Sequence, residues 1–296
     1  MSNLFAQLST ALADHAEQAS SRVVALQMRH GRHLTATRWQ DDLIIASDQT
    51  LPRRDVFPAR LADGSETEAT VVGRDEATNI ALLKLSAAPA LAAPVAGQLR
   101  TGGLALAVGA RKDAAATACL GVVNQVGPAW QSSHGGRIDA YIRLDLGISQ
   151  SEEGGPVVDP DDAIVGITTF GPRGQVLVIP HATIARVVPE LLAGGRVARG
   201  WIGAALQPVA VPDIEGEKSG RGFMVMSVSE DGPAALGGLL PGDIVISFGG
   251  ERIGRVGHLA RWLGPDSIDK PLDLRVVRGG AAQTVTLTVQ QRPEAA

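Results

Sequence analysis

Cysteine is almost absent from the sequence, because Cys119 is the only one in 296 residues. A disulfide within the chain is therefore excluded. The neighbours of Cys119 are apolar, so we expect a small buried side chain rather than a reactive thiol. The six histidines are scattered, and no Cys/His spacing typical of a metal site is present. The sequence predicts no metal and no cofactor.

Long apolar runs and dense basic tracts are also missing. No stretch approaches the roughly 18 apolar residues of a membrane-spanning helix. The net charge is −4, which argues against a nucleic-acid partner. The first 21 residues lack the basic and apolar segments of a signal peptide. The sequence therefore predicts a cytoplasmic protein, or a periplasmic one if a leader has been removed.

Aromatic residues are scarce at 3%, whereas glycine is abundant with 35 residues. This combination favours a turn-rich protein dominated by β-structure. Hydrophobic residues make up 45% of the chain, enough for a sizeable core. The length indicates about two domains.

The pattern along the chain changes twice. Residues 1–20 carry leucines at helical spacing and predict an amphipathic helix. About a dozen short β-like segments follow, which is typical of a sandwich or a pair of barrels. Residues 181–195 then predict a helix that ends at a glycine pair. From about residue 200 a smaller unit begins, in which Gly249-Gly250 and Gly279-Gly280 each predict a tight hairpin.

Three segments carry a resemblance to a known family. The run "GPAALGGLLPGDIVISFGGERI" resembles part of a PDZ domain. The stretch "RGWIGAALQ" (199–207) resembles the joint between protease and PDZ domain in HtrA/DegP-type serine proteases. The segment "VLVIPHATIARVVPELLAGGRV" resembles the end of their trypsin-like domain. The resemblance covers residues 22–292.

The resemblance implies a mainly β fold, with a trypsin-like double β-barrel followed by a PDZ domain (α+β, a partly open barrel). The implied division is an N-terminal amphipathic helix (1–20), a trypsin-like domain (21–197) and a PDZ domain (198–292). It also implies a homo-oligomer, because HtrA proteases are typically trimers.

The motifs that carry the catalytic triad in this family are recognisable, but each has a different key residue. "LIIASDQTL" has Gln49 at the histidine position, and "GRDEATNIALLKL" has Asn79 at the aspartate position. "SEEGGP" has Glu153 at the nucleophile position, with Glu152 and Ser151 in place of Asn and Gly in the loop that forms the oxyanion hole.

These replacements lack the chemistry of the triad. A glutamine amide is no general base, and a carboxylate is a weak nucleophile towards an amide. The charge of Glu153 also opposes an oxyanion. The sequence therefore predicts a degenerate, inactive serine protease homologue (a pseudoprotease) that is not an enzyme and acts as an adaptor, scaffold or chaperone-like protein.

Several alternatives remain open at this stage. Ser149 or Ser151 can be a displaced nucleophile, giving an endopeptidase with residual or rescued activity. Asp48, Glu152 and Glu153 can form an acidic metal-binding site. The carboxylate of Glu152 or Glu153 can fill the oxyanion hole, point into water, or lie in a collapsed loop. A purely structural subunit is a further alternative.

The resemblance implies peptide binding in the second unit. PDZ domains add a C-terminal peptide to the sheet as a strand and hold its carboxylate with backbone N–H groups. The partners implied are protein or peptide C-termini. The loop residues would be Trp201, Ile202, Gly203 and Ala204, with Arg199 as a nearby cation. The helix "VGHLARWLG" would form the other wall through Leu259, Trp262 and Leu263.

Overall fold

The computed structural model describes residues 3–211, 213, 220–253 and 262–293. The chain divides into two compact units. The first contains residues 1–132 and 137–197, and the second contains residues 133–136 and 198–296. Among the described residues, no helix is both long and apolar enough to cross a membrane.

The described residues of the first unit form two α-helices, a series of short strands and a few single helical turns. The helices are α1 (Leu4–Ser20) and α2 (His181–Gly194). The strands are β1 (Val23–Gln27), β2 (His33–Gln40), β3 (Leu43–Ser47), β4 (Val56–Leu61), β5 (Glu66–Asp75), β6 (Ile80–Leu85), β7 (Leu104–Ala110), β8 (Ala116–Gly127), β9 (Trp130–Gln131), β10 (Arg137–Ile138), β11 (Tyr141–Asp145), β12 (Pro156–Val158), β13 (Ile164–Phe170) and β14 (Val176–Pro180).

Two closed six-stranded barrels make up this unit. The first has the strand order β1-β2-β3-β6-β5-β4, and the second has the order β11-β14-β13-β12-β7-β8. Alternating apolar residues fill each barrel, as β4 illustrates with Phe57, Ala59 and Leu61 facing inward. Strand β3 is buried along its whole length. Its outward residues, such as Ile45, join a second cluster with Ile167 of the other barrel.

The helices cover the barrels with apolar faces. Helix α2 buries Ile184, Val187 and Leu191 and is capped by Gly195, whose φ of 68° permits its N–H to bond Leu191 O. This confirms the helix predicted at residues 181–195. Helix α1 packs its last turns on β7, mainly through Ala19.

The second unit is built on one antiparallel sheet. One helix of this unit whose residues are all described is α3 (Pro233–Leu236). Its strands are β15 (Gly200–Trp201), β16 (Ala204–Val211), β17 (Gly220–Val228), β18 (Ile244–Phe248), β19 (Glu251–Arg252), β20 (Pro271–Arg278), β21 (Ala281–Thr288) and β22 (Gln290–Gln291). The main sheet has the order β16-β17-β18-β20-β21, with β19 paired to β18, and β15 pairs with β22.

Both predicted hairpins of the second unit are confirmed. Gly249-Gly250 joins β18 to β19, and Gly279-Gly280 joins β20 to β21. All four glycines have φ between 53° and 85°, the region that a two-residue loop of type I′ requires.

Cys119 departs from its prediction. It lies on β8 and is half-buried rather than fully buried, and its thiol donates to the carbonyl of Gly147 at 3.2 Å. Leu120 and Val122, 41% and 46% exposed, lie on the opposite, outer face of β8. The face that carries Cys119 is fully buried at Gly121 and Val123 but only half-buried at Thr117 and Cys119, nearer the start of the strand. Apolar neighbours in the sequence did not distinguish this strand from an internal one.

Candidate functional site

The three triad positions lie together between the two barrels. Gln49 follows β3, Asn79 precedes β6, and Glu153 precedes β12. Asn79 has φ of 58°, a left-handed conformation that asparagine adopts more readily than most residues. The backbone N–H of Gln49 donates to Asn79 Oδ1 at 2.7 Å. This bond links the turn after β3 to the residue before β6 and so fixes Gln49 and Asn79 side by side in the first barrel.

The carboxylate of Glu153 is buried, with only 1% of the residue exposed. Its Oε1 accepts from Ser47 Oγ at 2.8 Å, Thr169 Oγ1 at 2.9 Å and Gln49 Nε2 at 2.5 Å. The backbone N–H of Phe170 adds a longer bond of 3.3 Å. Burying a carboxylate is costly unless donors replace the lost water, and these donors do so. We call Ser47, Gln49, Asn79, Glu153 and Thr169 the polar cluster.

Asn79 closes the polar cluster from the other side. Its Nδ2 donates to Thr169 Oγ1 at 2.7 Å and to Ser47 Oγ at 2.9 Å. Gln49 Nε2 also reaches the carbonyl of Phe170 at 3.1 Å. The cluster thus joins β3 and its turn in the first barrel to β13 in the second. Ser47 and Thr169 belong to this cluster, although no motif in the sequence marked them.

The Glu153 side chain points neither into water nor towards the backbone N–H groups of its own loop. Its oxygen lies among the side chains at the other two triad positions. The loop also keeps an ordered shape, with a helical turn at residues 150–152. The Glu153 carboxylate therefore neither fills the hole of its own loop nor points into water. It lies buried between the two barrels.

The glycine pair after Glu153 is required by the packing of the loop. A Cβ on Gly155 would lie 2.1 Å from the carbonyl oxygen of Val108, and one on Gly154 would lie 2.5 Å from that of Thr35. Gly154 also has φ of 91°. The turn is therefore wedged between β2 and β7, and only glycine allows so close an approach.

Glu152 has a different environment from Glu153. Its carboxylate accepts from Thr117 Oγ1 at 2.5 Å and from the backbone N–H of Ser149 at 2.6 Å. Burial raises the pKa of Glu152, but these hydrogen bonds outweigh it and hold the pKa below its ordinary value. Ser149 and Ser151 share a hydrogen bond between hydroxyls 2.8 Å apart, and Ser151 is half-buried.

Asp48 does not join the two glutamates. It is 3% exposed, and its Oδ1 accepts from Arg74 Nη1 at 2.8 Å and Arg53 Nη1 at 3.3 Å. Arg74 also donates to the carbonyl of Pro52 at 2.7 Å. The acidic metal site suggested by the sequence is therefore wrong in its geometry, because each carboxylate already has protein donors. In the described part of the chain, no group of three or more His, Cys, Asp or Glu side chains can hold a metal.

The loop after β15 in the second unit, where the sequence predicts a carboxylate-binding loop, turns at Gly203. Gly203 has φ of 72° and lies beside the ring of Trp201. The carbonyls of Ile202 and Gly203 accept from Ala234 and Ser229, each at 2.7 Å. The side chain of Ile202 is buried in the core, so it anchors the loop rather than contacting a ligand.

Strand β16 follows this loop immediately and lies at the end of the main sheet. Among the described strands it pairs with β17 alone. Ala204, its first residue, packs on the core and pairs with Val228. The loop and an open strand edge are therefore continuous, which is the arrangement that strand addition requires.

The other predicted groove residues have mixed outcomes. Trp262 stacks on Phe248 with ring centroids 5.4 Å apart, and Leu263 packs against the same core. Leu259 lies outside the described residues. Arg199 donates to the carbonyl of Gly135 at 3.5 Å. The groove assignments therefore remain predictions.

Comparisons with known proteins match both units. Residues 34–167 match a family model described as a trypsin-like peptidase domain, and residues 200–289 match one described as a PDZ domain. The HtrA-type protease AlgW with tripeptide is 26% identical, with a TM-score of 0.69 over 96% of this chain and 98% of that one. The serine endoprotease from Yersinia pestis shares the fold, with 23% identity and a TM-score of 0.71 over 95% of this chain and 98% of that one.

Sequence relatives are also named as serine endoproteases. A protein of Marinomonas sp. (strain MWYL1), named probable periplasmic serine endoprotease DegP-like, is 30% identical over 86% of this chain and 55% of its own length. One of Brucella suis biovar 1 (strain 1330) with the same name is 30% identical over 86% of this chain and 51% of its own length. The chain spans about half the length of the curated relatives it matches.

These names contradict two predictions. The prediction that the chain is not an enzyme is wrong by this comparison, because the relatives are named serine endoproteases. It rested on three side chains, whereas the comparison covers most of the chain. The prediction of a cytoplasmic location is also contradicted, because the relatives are named periplasmic. It rested on the first residues alone, and location cannot be read from where this chain begins.

The fold, the order of the two units and these relatives agree with one another. The chain therefore has a mainly β, trypsin-like fold followed by a PDZ domain, the domain order of the HtrA-type protease to which it is similar.

Proposed function

We propose that the chain binds the C-terminal segments of other proteins through its PDZ domain. The observation that carries this proposal is the open edge of β16 directly after the turn at Gly203. An extended peptide gains main-chain hydrogen bonds along such an edge, and a loop of backbone N–H groups holds its carboxylate. Arg199, Trp201, Ala204, Leu259, Trp262 and Leu263 are the remaining residues that we propose for this site.

The experiment is a binding titration on the full chain. Fluorescein-labelled decapeptide pools of random sequence are prepared with a free C-terminus and, as the matched control, with a C-terminal amide. Binding is followed by fluorescence anisotropy. The proposal requires the free pools to bind and the amidated pools to bind at least tenfold more weakly. Equal binding of the two would reject it.

A second proposal is endopeptidase activity of the HtrA type, which the names of the relatives support. Residues 49, 79 and 153 do not supply a histidine, an aspartate and a serine, so the nucleophile must come from another position. Ser151 is the candidate that we propose. It lies two residues from the expected position and hydrogen-bonds to Ser149.

Unfolded casein tests this second proposal. The full chain is incubated with casein, and new N-termini are counted with time. Cleavage is expected to be lost in Ser151→Ala and kept in Glu153→Gln, which retains the volume of the buried side chain. Cleavage that survives in Ser151→Ala, or no cleavage by the native chain, would reject Ser151 as the nucleophile.

The names of the relatives also support a periplasmic location, and the family resemblance supports a trimer. Both are proposals for this chain. Fractionation of cells that express the native gene tests the location, and sedimentation equilibrium of the purified chain tests the trimer. Recovery in the cytoplasmic fraction would contradict the periplasmic location. A measured mass of about 30.7 kDa, the mass of one chain, would contradict the trimer.

A further inference from the structure

One face of β16 continues the proposed peptide groove from the loop at Gly203 towards the far end of the strand. Ala204 and Leu206 pack against the core of the second unit. Pro208 and Ala210 follow on the same face, because side chains alternate along a strand, and both are exposed. A row of four small or apolar side chains therefore leads away from the loop at Gly203.

Pro208 fixes which backbone groups face the open edge. It lies inside β16 and pairs with Phe223 of β17. A proline is tolerated within a paired strand where its nitrogen faces away from the neighbour. By alternation, the N–H and C=O of Leu206 face the open edge as well. An added strand therefore finds a donor and an acceptor at Leu206 but only an acceptor at Pro208.

A cavity of 190 Å³ opens beside this proline. Its walls include Pro208, Ala210, Phe223 and Ile253, and the two last are buried, with exposures of 3% and 6%. A volume of this size has room for one aliphatic side chain. Arg221 lies at its rim, directly opposite Ala210.

The register of an added peptide follows from these positions. With its carboxylate at the Gly203 loop and an antiparallel direction, the last residue (position 0) lies beside Ala204. Position −2 then lies beside Leu206, position −4 beside Pro208 and position −6 beside Ala210, since paired strands advance by the same ~3.4 Å per residue. Side chains at even positions point to one face, the face of the cavity.

We propose that the cavity beside Pro208 is an upstream subsite that takes an aliphatic side chain at position −4, with an acidic residue at position −6 facing Arg221. This inference rests on the proposed peptide binding and names the class of segment that is bound. Pro208 has no N–H, so one main-chain hydrogen bond between β16 and the added peptide is missing there. The apolar contact of the position −4 side chain with the cavity takes its place. The bound segment is therefore selected over about seven residues, from position 0 to position −6.

The test uses fluorescein-labelled decapeptide pools with a free C-terminus and the full chain. Positions 0 and −2 are random, and the other positions are alanine except −4 and −6. The pool with Leu at −4 is expected to bind roughly five- to tenfold more tightly than the pool with Gly there, from the burial of one aliphatic side chain. With Leu at −4 in both pools, Asp at −6 is expected to bind more tightly than Lys, and Arg221→Glu should invert that order.

Ala210→Leu fills the cavity from its rim and should abolish the preference for Leu at −4. Ala205→Leu is the matched control, because Ala205 is exposed on the opposite face of the same strand and should keep it. Equal binding of the Leu and Gly pools, with both still dependent on a free carboxylate, would overturn the subsite and leave the proposed function standing. No dependence on a free carboxylate would reject both.

Discussion

The side-chain amide of Gln49 donates a hydrogen bond of 2.5 Å to the carboxylate of Glu153, 104 residues further along the chain. The sequence resemblance aligns these two residues with the base and the nucleophile of trypsin-like proteases, and in the structure they belong to one buried hydrogen-bonded cluster. The cluster joins the two barrels, so removing one of its members should lower the free energy of unfolding of the first unit.

Glu153→Ala is expected to destabilise the first unit by about 2–4 kcal/mol, because it leaves the buried donors Ser47 and Thr169 without their acceptor and opens a cavity. Calorimetry of the full chain measures the fall in the melting temperature. Glu68→Ala removes an exposed carboxylate from the same unit and should change the stability by less than about 0.5 kcal/mol. An unchanged melting temperature in Glu153→Ala would mean that water replaces the carboxylate.

Gly155→Ala is expected to disrupt the loop, since the added methyl group would lie 2.1 Å from Val108 O, a backbone atom that cannot move aside. We expect a loss of at least about 3 kcal/mol or failure to fold. Gly147→Ala is the matched substitution, because nothing lies within 4 Å of its added methyl group. Similar stability of the two variants in urea unfolding would refute the close packing of the turn.

Gly203→Ala is expected to weaken binding of free-carboxylate peptides at least about fivefold. An L-residue at φ of 72° costs about 1 kcal/mol, and the methyl group would also lie 3.2 Å from the Trp201 ring. Gly280→Ala imposes similar backbone strain at φ of 85° in a hairpin with open space around it. Both variants should lose stability, but only Gly203→Ala should lose affinity in the anisotropy titration. Equal affinities would exclude the loop from the site.

The second unit should lose stability in acid through Asp243. Burial raises the pKa of this carboxyl group, but the hydrogen bonds from Arg278 and from the backbone N–H of Leu240 outweigh it and lower the pKa. A lowered folded-state pKa stabilises the fold above the ordinary value of about 4, and this contribution is lost as the pH falls below that value.

Asp243→Asn should therefore lower the stability at pH 7 and flatten its decline between about pH 5 and pH 2, as measured by urea unfolding at each pH. Asp266→Asn alters an exposed carboxylate in the same unit and should keep the wild-type profile. An Asp243→Asn profile as steep as that of the wild type would show that another group causes the acid loss.

Individual helices and hairpins were predictable because short local sequence patterns indicate them. The apolar spacing of Ile184, Val187 and Leu191 predicted helix α2, and the glycine pairs predicted the hairpins at residues 249–250 and 279–280. Each of these signals needs only a few neighbouring residues. The short β-like segments favoured a sandwich or a pair of barrels, and the double barrel followed by a PDZ domain was implied by the resemblance to the HtrA/DegP-type proteases.

The contacts of the candidate site were less predictable because they join distant segments. Nothing near Glu153 in the sequence indicates that Ser47 will donate to it from 106 residues away. Asp48 was grouped with Glu153 because both are acidic, whereas the fold pairs Asp48 with Arg74. Side-chain direction inside a loop depends on which barrel faces it, and the sequence does not state this.

Pro208 has a consequence for how the protein behaves at high concentration. An open strand edge is a template on which a second molecule can add its own strand, and long edges of this kind promote aggregation. A proline in the middle of β16 removes one donor and divides the edge into two short stretches. The residue that shapes the proposed groove therefore also limits uncontrolled strand pairing between copies of the chain, so Pro208→Val should lower solubility even where it leaves the fold intact.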